Sequence, residues 1–189
     1  MKQSMLLALG LALACPAGSA GGAETFDIGT TATEAEINAV AISVAPDGRG
    51  LPPGRGDWAA GRQVYLQHCA ACHGPDLMGV DGLADMPAGA QLRLIGGRGT
   101  LATRRPVMTV ESYWPFATTL FDYIRRAMPF QAPGSLSNDE VYAVSAFILA
   151  EADIIDRSDV MDARTLAQVR MPNRDGFTGD PRPERFDPP

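Results

Sequence analysis

The chain has 189 residues and a formal net charge of −6, from 16 Lys and Arg against 22 Asp and Glu. That length suits one domain with extensions and can bury a core without disulfide staples. The acidic balance excludes a basic nucleic-acid footprint, and a hydrophobic share of 46% excludes wholesale disorder.

From the N-terminus, Lys2 supplies a short basic region and Met5 to Ala14 an apolar stretch. Small residues follow from Ala17 to Ala23. This order predicts a secretory signal peptide over residues 1–23, cleaved after Ala20 or after Ala23. The apolar stretch is too short for a membrane-spanning helix, which needs about 20 residues; a retained anchor is the alternative. Cys15 does not fit a lipoprotein site, because Ala12 stands where a large aliphatic residue is wanted. Cleavage removes Cys15 and Lys2, the only lysine. The remainder carries 15 arginines against 22 acids, a formal charge of −7, and two cysteines.

Residues 24–56 read as an extension with one short helix, opened by a capping box of Thr33 and Glu36. A Gly/Pro-rich crossing, Pro46 to Gly54, ends it. Asp57 then caps a helix running to Leu66. On that helix Gly61 and Tyr65 lie four apart on one face. The glycine lets another helix approach closely, with Tyr65 packing beside the contact.

Cys69-Ala70-Ala71-Cys72-His73 follows. C-x-x-C-H is the attachment sequence of a c-type haem. Two thiols one helical turn apart reach the two vinyl groups on one haem edge, and the adjacent His73 presents its imidazole to the iron from the same side. A closed zinc site needs four suitable ligands, and adjacent Cys69, Cys72, His73 and His68 could hardly close a tetrahedron. A redox pair of thioredoxin type belongs near a βαβ pattern, which the chain lacks. A disulfide across two residues closes too small a loop to matter. One covalent haem c is therefore expected on Cys69 and Cys72, with His73 as an iron ligand.

His68 precedes Cys69 and cannot swing to the opposite face, which leaves methionine for the second axial position. A thioether there favours reduced iron and raises the potential. Six methionines remain after cleavage. Met78 is too close to His73 to wrap around the ring, and Met161 and Met171 follow the last strong helix. Met86, Met108 and Met128 are left. Met128 has the best setting. Ala117 to Arg126 reads as a helix with Leu120, Phe121 and Ile124 on its apolar face, and Pro129 stops it. Ser137 to Glu140 forms a second capping box, opening an apolar helix through Leu149. Met86, also followed by proline, and Met108 are the alternatives. Core filling is the competing role for Met128.

Arg98, Arg104, Arg105, Tyr113 and Trp114 are candidate partners for the haem propionates, which need donors when partly buried. Gly96-Gly97-Arg98-Gly99 lacks the spacing of a phosphate loop and reads as a bend. No strand pattern of consequence is visible. Residues 57–155 read as the haem domain and residues 156–189 as a tail, flexible in its last dozen residues.

Several segments are more specific. They are Pro46-Asp47-Gly48 with Gly50 to Gly54, Gly97 to Thr103, Ser112 to Pro115, Ala117 to Pro129, and Met171 to Phe177. Together they resemble the cytochrome c subunit of the Sox sulfur dehydrogenase and related cytochromes paired with sulfite-oxidase-like molybdenum proteins, over about residues 24–177. The resemblance implies an all-α class I cytochrome c fold, three to five helices around one haem, with N- and C-terminal extensions. It also implies a periplasmic partner that takes electrons from a molybdenum-cofactor subunit oxidising sulfane sulfur or sulfite, and passes them to a further cytochrome c. Carried over, Cys69 and Cys72 attach haem while His73 and Met128 ligate iron. Some relatives carry two haem domains, whereas this chain has a single C-x-x-C-H.

Two other functions compete. A free soluble shuttle would use small, transient interfaces and needs neither extension. An enzyme acting at the haem would favour an open site or an unusual Cys or His ligand, and no spare Cys or distal His exists. The Met171 to Phe177 segment either docks on a partner or packs back on the haem domain.

Overall fold

The computed structural model describes residues 29–80 and 92–179. The predicted signal peptide, Met86 and the final residues of the tail lie outside them.

Within the described residues the chain is mostly helical. Helix α1 is Glu34–Val40, and its capping box forms as the sequence predicts, with Thr33 and Glu36 exchanging hydrogen bonds. Helix α2, Trp58–His68, opens on Asp57, whose side chain accepts from the Ala60 amide at 2.9 Å. A single turn, α3, covers Ala70–His73. Helix α4 is Ala117–Ala127, and α5 is Asn138–Glu151 with the Ser137–Glu140 capping box in place. A last turn, α6, covers Thr165–Gln168.

Helix α5 is the axis of the fold. Every residue from Val141 to Ala150 is buried, the mark of a helix apolar on all sides. Helix α2 crosses it at Gly61, where an added Cβ would stand 1.9 Å from the Ala143 carbonyl oxygen. The close approach stacks Tyr65 against Phe147, with ring centroids 5.0 Å apart. On another side Phe121 of α4 meets Tyr142 of α5 at 4.4 Å. These aromatic contacts add to the burial of their area.

The sheet is a feature that sequence patterning did not show. Strand β1, Arg55–Asp57, pairs antiparallel with β2, Val160–Asp162, with Gly56 opposite Met161. Three residues per strand give no periodicity to read. The pairing brings the segment after α5 back onto the core, where Met161, Leu166 and Met171 are buried.

Both extensions are tied down. The Val44 amide donates to Asp122 Oδ1 at 3.0 Å, and Asp122 also pairs with Arg126. Tyr142 donates its hydroxyl to the Pro52 carbonyl at 2.8 Å. Burial, then the Asp162 charge, pushes that phenol up to about 12, so it stays a donor. At the other end Asn173 donates to the Tyr113 carbonyl at 2.7 Å, and the Arg174 guanidinium lies 4.4 Å from the Phe116 ring centre. Phe177 meets Tyr113 edge-on at 5.2 Å. Of the two placements open for Met171 to Phe177, this is the packed-back one. Among the described residues no helix is long and apolar enough to cross a membrane.

Candidate functional site

A cavity of about 600 Å3 opens between α3, α4, α5 and the segment entering α4. Its size falls in the range of cofactor sites, and its walls are as apolar as such sites need. Leu94, Val110, Leu120, Ile124, Val144 and Ile148 line it. Cys69, Cys72, His73 and Met128 line it too, so the four sequence-predicted site residues meet in one place. A larger, wide-open depression of about 1110 Å3 lies against β2 and α6 and contains none of them.

Local structure accounts for each placement. Cys69 ends α2, its amide donating to the Tyr65 carbonyl at 2.8 Å. The α3 turn then carries Cys72 and His73 on from it. Both thiols are free and half-buried. Burial, then the Cys72 charge, pushes the Cys69 thiol up to about 11. An attacking thiol has the opposite shift, so Cys69 is not poised as one. Among the described residues no group of three or more His, Cys, Asp or Glu side chains is arranged to hold a metal ion.

His73 is oriented by the main chain. Its Nδ1 lies 2.5 Å from the Leu92 carbonyl oxygen. A carbonyl only accepts, so Nδ1 carries the proton and Nε2 keeps its lone pair for an electrophile. That is the usual outer-sphere arrangement of a metal-binding histidine.

Met128 is the C-cap of α4, its amide donating to the Ile124 carbonyl at 3.0 Å. Among the described methionines only Met128 lines the cavity. Met108 is 61% exposed and Met78 is 40% exposed, while Met161 and Met171 sit in the core. His68 borders the cavity beside Cys69.

Of the five propionate candidates, Trp114 alone lines the cavity. Arg98 is spent elsewhere: it pairs with Glu111 at 2.6 Å and donates to the Ala152 carbonyl, clamping the 96–98 bend to the end of α5. Arg104 and Arg105 are exposed, and Tyr113 faces Phe177. Sequence reasoning missed Tyr123, which lines the cavity and meets Trp114 edge-on at 5.6 Å. The signal was present, because Tyr123 lies three residues after Leu120 on the face that Ile124 shares.

The residues fit a covalent haem. Two free thiols suited to covalent attachment face one apolar space with an oriented imidazole and a thioether, the His/Met pair that suits haem iron. Comparison with known proteins points the same way. Residues 56–148 match the family model described as cytochrome c oxidase, cbb3-type, subunit III. The chain is similar to a chain in the crystal structure of the sulfane dehydrogenase SoxCD from Paracoccus pantotrophus. Identity is 38% and the TM-score 0.75, over 83% of this chain and 73% of that one. No curated protein matches significantly.

Proposed function

Since this chain belongs to the Sox-type c-type cytochromes, we propose that it is the monohaem electron-transfer subunit of a periplasmic dehydrogenase of sulfur compounds. It accepts electrons from a molybdenum-cofactor subunit that oxidises sulfane sulfur or sulfite, and delivers them to a downstream cytochrome c. The observation that carries this reading is the convergence of Cys69, Cys72, His73 and Met128 on one apolar cavity.

Haem c would supply one-electron chemistry at its iron. Cys69 and Cys72 would hold it through thioethers, with His73 Nε2 and the Met128 sulfur as the donors to its iron. Leu92 sets the imidazole tautomer through its carbonyl. The aliphatic walls and Trp114 make the site largely apolar, and apolar surroundings lower the cost of reorganisation on electron transfer. A Met128 thioether favours the reduced state, so the chain is poised as an acceptor from a low-potential donor. The Sox match covers 83% of the chain whereas the family model spans only residues 56–148. This supports a subunit role, because the likeness reaches well beyond the haem domain.

The test is co-expression with a sulfite-oxidase-like molybdenum protein, affinity capture of this chain from the periplasm, and assay for molybdenum and haem. The expected result is a complex with one haem per chain that is reduced when a sulfur substrate is added. A haem-bearing chain recovered alone, and reduced by no sulfur substrate in the presence of that protein, overturns the subunit reading.

A further inference from the structure

Tyr65 is completely buried. Its ring fills the α2–α5 contact against Phe147, and that role needs no hydroxyl. The hydroxyl nevertheless donates to the Gly74 carbonyl at 2.6 Å. Gly74 directly follows His73 and has a φ of +76°, with a Cβ at that position only 2.6 Å from the Gly79 carbonyl oxygen. Burial raises the phenol well above its ordinary value, so it remains a donor at every working pH.

The Gly74 carbonyl is the first link in a closed circuit. It also accepts from the Leu77 amide at 3.2 Å. Leu77 is buried and holds a φ of +63°, a conformation a branched side chain keeps only when its surroundings over-determine it. The Leu77 carbonyl accepts from the Leu94 amide at 2.8 Å, and the Gly79 amide donates back to the His73 carbonyl at 2.7 Å. Two residues before Leu94 stands Leu92, whose carbonyl orients the His73 ring. The hydroxyl therefore joins the rigid α2–α5 crossing to the turn that seats the Leu92 carbonyl.

We infer that Tyr65 is a positioning residue for the His73 imidazole, acting through the Gly74 carbonyl and the Leu77–Leu94 bridge. The inference rests on the proposed ligation of iron by His73.

The test uses the full-length holoprotein and its Tyr65→Phe variant, which keeps the ring and deletes the donor. Losing one typical net hydrogen bond corresponds to roughly a fivefold rise in local opening. Amide exchange at Leu77, Gly79 and Leu94 is expected to rise by about that factor, while exchange in α2 and α5 stays unchanged. The ferric electron paramagnetic resonance spectrum, which reads the imidazole plane, is expected to shift, and the midpoint potential with it. Phe147→Leu loosens the same ring without touching the Gly74 carbonyl, and is expected to leave the spectrum unchanged. A Tyr65→Phe protein with the wild-type spectrum and potential overturns the inference alone. So does a Phe147→Leu protein that reproduces the Tyr65→Phe shift. A wild-type spectrum without a histidine ligand overturns the ligation reading and this inference with it.

Discussion

Gly61 of α2 and Ala143 of α5 meet backbone to backbone: a Cβ on Gly61 would stand 1.9 Å from the Ala143 carbonyl oxygen and 2.8 Å from the Phe147 Cβ. The obstruction is main chain, so it cannot swing aside. Gly61→Ala must push the two helices apart and unseat the Tyr65–Phe147 pair. Overpacking of a tight core costs about 1–3 kcal/mol, and a rigid neighbour places this site at the upper end. Denaturant titration of the holoprotein checks it; a loss below about 0.5 kcal/mol, the range of neutral surface changes, contradicts the crossing.

Met128→Ala removes the thioether and leaves a small apolar residue at the end of α4. The midpoint potential is expected to fall, since the proposed ligand that favours reduced iron is gone. The reduced protein is also expected to bind carbon monoxide. Met108→Ala, at a position 61% exposed, is expected to change neither. An unchanged potential with no carbon monoxide binding in the Met128 variant moves the ligand elsewhere.

Acid stability is expected to depend on the start of α5. Hydrogen bonds from the Ser137 hydroxyl and amide hold the Glu140 carboxyl below its ordinary value of 4.5. A carboxyl lowered in the folded state adds stability above its unfolded value and loses it as pH falls through the folded one. Ser137→Ala should therefore flatten the stability profile below about pH 4.5. At neutral pH it should cost about 0.5–2 kcal/mol through the lost cap. Thermal melts of both proteins between pH 3 and pH 7, roughly the carboxylate range and above, decide it. An equal drop at every pH removes the linkage.

Met171 is 1% exposed although it lies three residues past the end of α6. Met171→Ala is expected to destabilise the fold by about 2–5 kcal/mol, the usual cost of emptying a core site. Phe177→Ala, at a position 51% exposed, should cost far less. Equal effects in a calorimeter would mean that Met171 does not reach the core in solution.

What the sequence made legible was whatever is written in side chains of fixed spacing. Thr33, Asp57 and Ser137 announce three helices because caps are local chemistry. The Cys69 to His73 spacing announces the site for the same reason. Three things stayed out of reach. Strands β1 and β2 are set by packing against α5, and three residues carry no alternation. Arg98 looked like a haem partner because nothing local marks Glu111, thirteen residues on, as its counter-ion. Tail residues such as Met171 and Arg174 gain their meaning only from the surfaces they fold back upon.

The acceptor for His73 Nδ1 is the Leu92 main-chain carbonyl, and this limits how the site can change. Every residue type carries that oxygen, so no single substitution deletes it. The acceptor itself is therefore insulated from point mutation, in contrast to sites that use an Asp or Glu in this place. Single replacements act instead on how that oxygen is seated, as at Tyr65, or at Met128 and along the cavity wall.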